Sequence, residues 1–112
     1  MGNKIALVTG ASDGIGLEFG DILAAQGYDL VLVARREDKL HEVSEKLSQT
    51  YGINCTVMAT DLSEPRAAQT LFQRTCDQNL QIDFLVNNAG LLHNGFFTEL
   101  SLAEQERMIT VN

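Results

Sequence analysis

IALVTGASDGIG, residues 5–16, is the stretch that decides the fold of this 112-residue chain. Its four leading apolar residues run without interruption, as in a strand buried on both faces, and an apolar helical pattern begins at Ile15. Glycines between a strand and a helix permit a tight turn and let a pyrophosphate approach the backbone, where the helix N-terminus supplies N–H donors. A glycine turn without a ligand is the alternative, but the strand before it and the helix after it favour nucleotide binding.

Apolar runs alternate with helical periods along the rest of the chain, which is the pattern of βαβ units in a parallel sheet. The predicted strands cover residues 5–8, 30–34, 53–59 and 84–86. The predicted helices start at Ile15, at Glu37, at the capping motif Ser63-Glu64-Pro65 and at the capping box that begins with Ser101. The last helix runs to Asn112 without a terminating signal, so we expect a single cut-off domain, residues 1–112, without its C-terminal half.

Charge and composition exclude several classes of function. Fifteen acidic and eight basic residues give a net charge of −7, which argues against nucleic acid or a membrane surface as a partner. The first apolar run is too short for a signal peptide or a membrane span, so a cytoplasmic protein is expected. His41 and His93 are isolated from other ligand-type residues at metal-binding spacing, and no metal site is predicted.

The second predicted strand ends in Val33-Ala34-Arg35-Arg36, where a dinucleotide fold recognises the adenosine ribose. An acid at this place binds the ribose 2′-hydroxyl, whereas the planar guanidinium of arginine suits a 2′-phosphate. Because Ala34 provides no carboxylate and an arginine follows it, NADP(H) is the favoured cofactor. NAD(H) stays open as the alternative if Glu37 or Asp38 reaches the ribose.

Four motifs in the correct order resemble the N-terminal portion of the short-chain dehydrogenase/reductases. They are the glycine segment, Asp61-Leu62, Asn87-Asn88-Ala89-Gly90 and the closing Met108-Ile109-Thr110-Val111-Asn112. The resemblance covers the whole chain and implies a Rossmann-type α/β fold, with strand order 3-2-1-4 and helices on both faces of the sheet. It also implies cofactor binding by Gly10, Ser12, Asp13, Gly14, Ile15, Gly16, Arg35, Arg36, Asp61, Leu62, Asn88, Ala89 and Gly90. Asp13 departs from the basic residue that some NADP(H)-dependent members carry inside the glycine segment.

The family's catalytic Tyr-x-x-x-Lys pair has no counterpart in the chain. Leu32 and Cys55 stand four residues after Tyr28 and Tyr51, where the pair would have lysine. Asn112 alone matches a catalytic position of the family, in the proton-relay network that leads to the lysine. The alternative for Asn112 is an asparagine at the end of a helix with no relay partner.

The resemblance implies an activity for the full-length protein. It would be an NADP(H)-dependent oxidoreductase that interconverts a small-molecule carbonyl and an alcohol by hydride transfer, while the 112-residue chain alone is expected to be inactive. A non-catalytic nucleotide-binding or assembly module is the alternative. The outer edge of the fourth strand is expected to be uncovered in this chain, which predicts association into a homo-oligomer or aggregate.

Overall fold

Strands and helices alternate in the computed structural model, which describes residues 3–12 and 14–86 in full and residues 109–111 as backbone. The strands are β1 (Ile5–Thr9), β2 (Asp29–Ala34), β3 (Cys55–Ala59), β4 (Ile82–Val86) and β5 (Ile109–Val111). The helices are α1 (Gly14–Ala25), α2 (Glu37–Tyr51) and α3 (Ala67–Asp77). β3 begins at Cys55 where residue 53 was predicted, and β4 begins at Ile82 where residue 84 was predicted. Each shift equals one period of side-chain alternation along a strand.

The strands form one parallel sheet in the order β3-β2-β1-β4-β5. The predicted fold class and the 3-2-1-4 order are confirmed, and β5 is added outside β4. Strand order reverses at β1, where Leu7 lies opposite Val31 of β2 and Leu85 of β4. In open parallel sheets, ligands bind beyond the carboxyl ends of the strands at such a reversal point. A ligand-binding site is therefore expected at the segment after β1.

Two apolar layers cover the two faces of the sheet. Val8 packs in one cluster with Leu23 of α1 and Leu40 of α2. The neighbouring Leu7 points to the other face, where it packs with Leu71 of α3. Burying a leucine or valine side chain contributes about 1.5–3 kcal/mol, and Leu7, Val8, Leu40 and Leu71 are all fully buried. The prediction of helices on both faces is thus confirmed.

The predicted start of the third helix at Ser63-Glu64-Pro65 is wrong. α3 begins at Ala67, after Arg66, whose backbone is left-handed with φ 63°. Ser63 does not cap a helix, because its hydroxyl donates to the Asp61 carboxylate at 2.6 Å. The intervening residues form turns, with the Glu64 N–H donating to the Asp61 carbonyl at 3.1 Å.

The prediction that the chain closes in a helix is wrong for residues 109–111, which form β5 and pair in parallel with β4. The predicted start of that helix at Ser101 lies outside the described residues. A sheet edge carries unpaired N–H and C=O groups, and an extended Ile-Thr-Val segment rich in β-branched residues satisfies them. The prediction of an uncovered outer edge on β4 is therefore also wrong.

Candidate nucleotide-binding site

The glycine segment leaves the carboxyl end of β1 and is tied to both neighbouring strands. The buried Thr9 hydroxyl donates to the Val86 carbonyl at the end of β4, at 3.3 Å. The Ala11 N–H donates to the Val33 carbonyl near the end of β2, at 3.2 Å. These two hydrogen bonds fix the turn at the point where the strand order reverses.

The turn delivers the chain into α1 with an open N-terminus. Gly10 and Gly14 have φ of 63° and 58°, left-handed values that a residue with a Cβ adopts only at a cost. A Cβ on Gly14 would meet no atom within 4 Å, so the space beside it is open, and Ile15 is 62% exposed. Gly16 is buried, and Ser12 is half-buried. Because the first turn of α1 holds no acidic residue, its N–H groups and dipole can accept an anion.

Two arginines follow β2 on the same edge of the sheet, and both are exposed. The Arg36 guanidinium donates to the Asp38 carboxylate at 3.0 Å. Within the described part of the chain, Arg35 makes no hydrogen bond or ion pair and acts only electrostatically, on Asp61. The sequence-predicted arginines are thus both at the expected edge, but Arg35 alone has an unengaged guanidinium.

Asp61 and Leu62 follow β3, next to the end of β2. One Asp61 oxygen accepts from the Ser63 backbone N–H at 2.9 Å and from the Ser63 hydroxyl at 2.6 Å. These bonds hold the pKa of Asp61 below its ordinary value, and the Arg35 guanidinium lowers that pKa further. Leu62 packs against the apolar layer on the α3 face. The carboxylate is therefore ionised and oriented at neutral pH.

Five predicted site residues lie outside the described residues. They are Asp13, Asn88, Ala89, Gly90 and Asn112. The structure brings together the segments that carry the other predicted residues, at the carboxyl ends of β1, β2 and β3.

Sequence reasoning missed Arg74 and Thr60, which connect α3 to the end of β3. The Arg74 Nη1 donates to the Ala59 carbonyl and to the Thr60 hydroxyl oxygen, both at 3.2 Å. A helical apolar period identifies the buried face of α3 but says nothing of which partner a polar side chain reaches. The one available signal is the threonine directly before Asp61, a side chain that can both donate and accept a hydrogen bond.

The described residues contain neither a cluster of metal ligands nor a helix suited to cross a membrane. Nowhere in residues 3–12 and 14–86 do three or more His, Cys, Asp or Glu side chains come together as metal ligands. No helix within those ranges combines the length and apolar character that crossing a bilayer requires.

Comparison with known proteins identifies the family. The short chain dehydrogenase family model matches residues 4–112. An uncharacterized oxidoreductase of Bacillus subtilis, YmfI, is 38% identical over 111 residues, which are 98% of this chain and 45% of that protein. A 7beta-hydroxysteroid dehydrogenase of Collinsella aerofaciens is 36% identical over 106 residues, 95% of this chain and 40% of its own length. The chain thus spans less than half the length of these curated relatives.

Solved structures agree with the sequence relatives. L-sorbose reductase from Gluconobacter frateurii, complexed with NADPH and L-sorbose, superposes with a TM-score of 0.74 at 31% identity, covering 95% of this chain and 44% of the reductase. A 7beta-hydroxysteroid dehydrogenase structure gives a TM-score of 0.73 at 36% identity, covering 79% of this chain and 33% of that one. With the family model, the parallel sheet and the glycine turn in agreement, the chain belongs to the short-chain dehydrogenase family and matches the N-terminal part of its members.

Proposed function

We propose that this chain is the NADP(H)-binding part of an oxidoreductase that interconverts a carbonyl and an alcohol. The observation that carries the proposal is the exposed Arg35 guanidinium after the carboxyl end of β2, which makes no hydrogen bond or ion pair within the described residues. A 2′-phosphate is a dianion that arginine binds through charge-assisted hydrogen bonds, and among the described residues Arg35 has no hydrogen bond or ion pair to break first. The NADPH complex of L-sorbose reductase supports the same assignment by similarity.

The pyrophosphate, the adenine, the adenosine ribose and the 2′-phosphate of the cofactor each have a proposed partner in the chain. The open N-terminus of α1, with Gly10, Ser12, Gly14, Ile15 and Gly16, would hold the pyrophosphate. Asp61 and Leu62 would contact the adenine, and Arg36 would assist Arg35 once it leaves Asp38. By family resemblance, Asp13 would complete the glycine turn, while Asn88, Ala89 and Gly90 would line the ribose and Asn112 would join a proton relay.

The residues of this chain bind and orient the cofactor, and Asn112 is the one among them proposed to take part in moving the proton. When bound, the nicotinamide supplies or accepts the hydride. Since neither Tyr28 nor Tyr51 is followed by lysine at the fourth position, we assign proton transfer to residues of the full-length protein beyond this chain. We infer for that protein a small-molecule substrate, a cytoplasmic location and a homo-oligomeric state.

Steady-state kinetics of the full-length protein with NADPH and NADH test the proposal. The wild type is expected to favour NADPH, and Arg35→Asp should lower kcat/KM for NADPH about tenfold to a hundredfold, because a charge-assisted hydrogen bond contributes roughly 1.5–3 kcal/mol. The same substitution should improve the use of NADH, since it adds a carboxylate for the ribose hydroxyls. Arg66→Asp, at an exposed arginine before α3, is the matched control for charge. Equal use of the two cofactors by the wild type would contradict the proposal.

A further inference from the structure

Arg74 is a half-buried cation that is hydrogen-bonded to the end of β3 and to the loop that follows it. It stands in the last turn of α3, where a basic side chain would ordinarily interact with the helix's own C-terminal carbonyls. Instead its Nη1 donates to the Ala59 carbonyl and to the Thr60 hydroxyl oxygen, both at 3.2 Å. The guanidinium thus ties the end of α3 to the end of β3.

Thr60 is the centre of this contact. Its hydroxyl accepts from Arg74 and donates to the Met58 carbonyl at 3.2 Å. Its backbone N–H donates to the Ala34 carbonyl at 2.9 Å. Thr60 is therefore held to α3, β3 and β2 at once, by one side chain and one backbone group.

Thr60 and Ala34, which this backbone hydrogen bond joins, are each followed by a residue that we assign to the cofactor. Arg35 follows Ala34 directly, and Asp61 follows Thr60 directly. The hydrogen bond from the Thr60 N–H to the Ala34 carbonyl places the segments that carry Asp61 and Arg35 side by side, and the Arg35 charge lowers the pKa of Asp61. A looser backbone at Thr60 would therefore change the spacing of Asp61 and Arg35.

We infer that Arg74 is a positioning residue for the adenosine end of the cofactor, acting through Thr60 on the spacing of Arg35 and Asp61. The inference rests on the proposed function, since it assigns Arg74 a role toward the same site. Arg74 itself touches no part of the cofactor. It lowers the cost of ordering the loop when the ligand binds, because the loop is already held in place.

Binding of NADPH to the full-length protein, followed by fluorescence titration, tests this role. Arg74→Met keeps the apolar stem and removes the donor, and we expect its Kd for NADPH to rise about threefold to thirtyfold with kcat nearly unchanged. Arg74→Lys keeps a donor and should recover part of the affinity. Arg66→Met, which removes an exposed positive charge just before the same helix, is the matched control and should bind as the wild type does.

Thr60→Val removes the hydroxyl that accepts from Arg74 while keeping the branched shape. If the two groups act as one unit, the double variant Arg74→Met with Thr60→Val should bind little worse than Arg74→Met alone. Fully additive losses of affinity would overturn the pathway through Thr60.

Hydrogen–deuterium exchange of the unliganded protein gives a readout that does not depend on activity. Residues 59–63 should exchange faster in Arg74→Met than in Arg66→Met, because the Thr60 and Ser63 amides lose a fixed backbone around them. NADPH binding by Arg74→Met equal to that of Arg66→Met would overturn the inference. If the wild type itself fails to bind NADPH, the proposed function fails, and the exchange data then decide separately whether Arg74 orders this segment.

Discussion

Two adjacent arginines at the end of β2 have different electrostatic surroundings. Arg36 is paired with Asp38 at 3.0 Å, and this contact holds the pKa of the Asp38 carboxyl below its ordinary value. Arg35 has no such partner among the described residues. An exposed ion pair of this kind is weak because water screens the two charges, so a stronger anion can displace Asp38 from Arg36 at little cost. On the proposed function, Asp38 would therefore compete with the 2′-phosphate for Arg36.

Replacement of Asp38 should change cofactor preference through this competition. In Asp38→Asn the ion pair is lost and only a neutral amide oxygen remains beside Arg36, so the affinity for NADPH is expected to rise about twofold to fivefold. NADH, which lacks the 2′-phosphate, should bind with unchanged affinity. Calorimetric titration with both cofactors measures the two effects. Glu42→Gln removes an exposed acid of the same helix and is the control for net charge. An equal gain in Glu42→Gln would show that only the overall charge matters.

Residue patterns predicted where part of the candidate site lies in the fold, because glycines in such a turn have few other uses. Gly10 and Gly14 adopt the left-handed backbone that the turn requires, and Arg35 lies at the expected edge of the sheet. The pairing of Arg36 with Asp38 and the reach of Arg74 to Thr60 depend on side-chain rotamers and on the separation of elements. The spacing of residue types along the sequence specifies neither the side-chain rotamers nor the distances between elements. Neither contact could therefore be predicted.

At the scale of elements, the start of α3 departs from its sequence signal. Ser63 and Pro65 match a capping serine and a first-turn proline, yet the Asp61 carboxylate engages the Ser63 hydroxyl and the helix starts later. The Ser63 hydroxyl can take part either in a local turn with the Asp61 carboxylate or in a helix cap, but not in both. The turn prevails here, and Arg66 enters the helix with a left-handed φ of 63°.

Relief of this backbone conformation should stabilise the fold. A left-handed residue with a Cβ costs about 1–2 kcal/mol, and the greater freedom of glycine in the unfolded chain offsets about half of that gain. Arg66→Gly is therefore expected to raise the free energy of unfolding by roughly 0.5–1 kcal/mol, measured by urea denaturation. Arg66→Ala loses the same side chain but keeps a Cβ at positive φ, so it should bring no gain. A gain in both variants would assign the effect to the arginine charge instead.

At the scale of the whole molecule, the alternation of apolar strands and amphipathic helices predicted a parallel α/β sheet, and the resemblance to the short-chain dehydrogenase/reductases predicted the order of its four strands. Each continuous apolar strand has to be covered on both faces, and right-handed crossovers leave few arrangements. β5 was not predicted because its three residues, Ile109–Val111, follow a helix-capping motif at Ser101, and the predicted helix was continued through them. β4 is paired with both β1 and β5, so the association of the protein, which stays a prediction, cannot rest on an open β4 edge.

The chain itself should bind without turning over. We expect the purified 112-residue chain to show no carbonyl-dependent oxidation of NADPH, because Tyr28 and Tyr51 lack the lysine that would lower a catalytic tyrosine's pKa. Absorbance of NADPH over time measures this, with the full-length protein as the positive control. Turnover by the chain, once mass spectrometry has established its length, would contradict the assignment of proton transfer to residues beyond it.

Calorimetric titration of the wild-type full-length protein with NADPH and with NADH measures the central property, recognition of a 2′-phosphate at the end of β2. We expect NADPH to bind at least about tenfold more tightly, since one charge-assisted contact to Arg35 contributes about 1.5–3 kcal/mol. The difference should shrink as salt is added, because the contact is exposed to solvent. Equal affinities for NADPH and NADH at low salt would contradict the assignment of Arg35 and, with it, the proposed NADP(H) dependence.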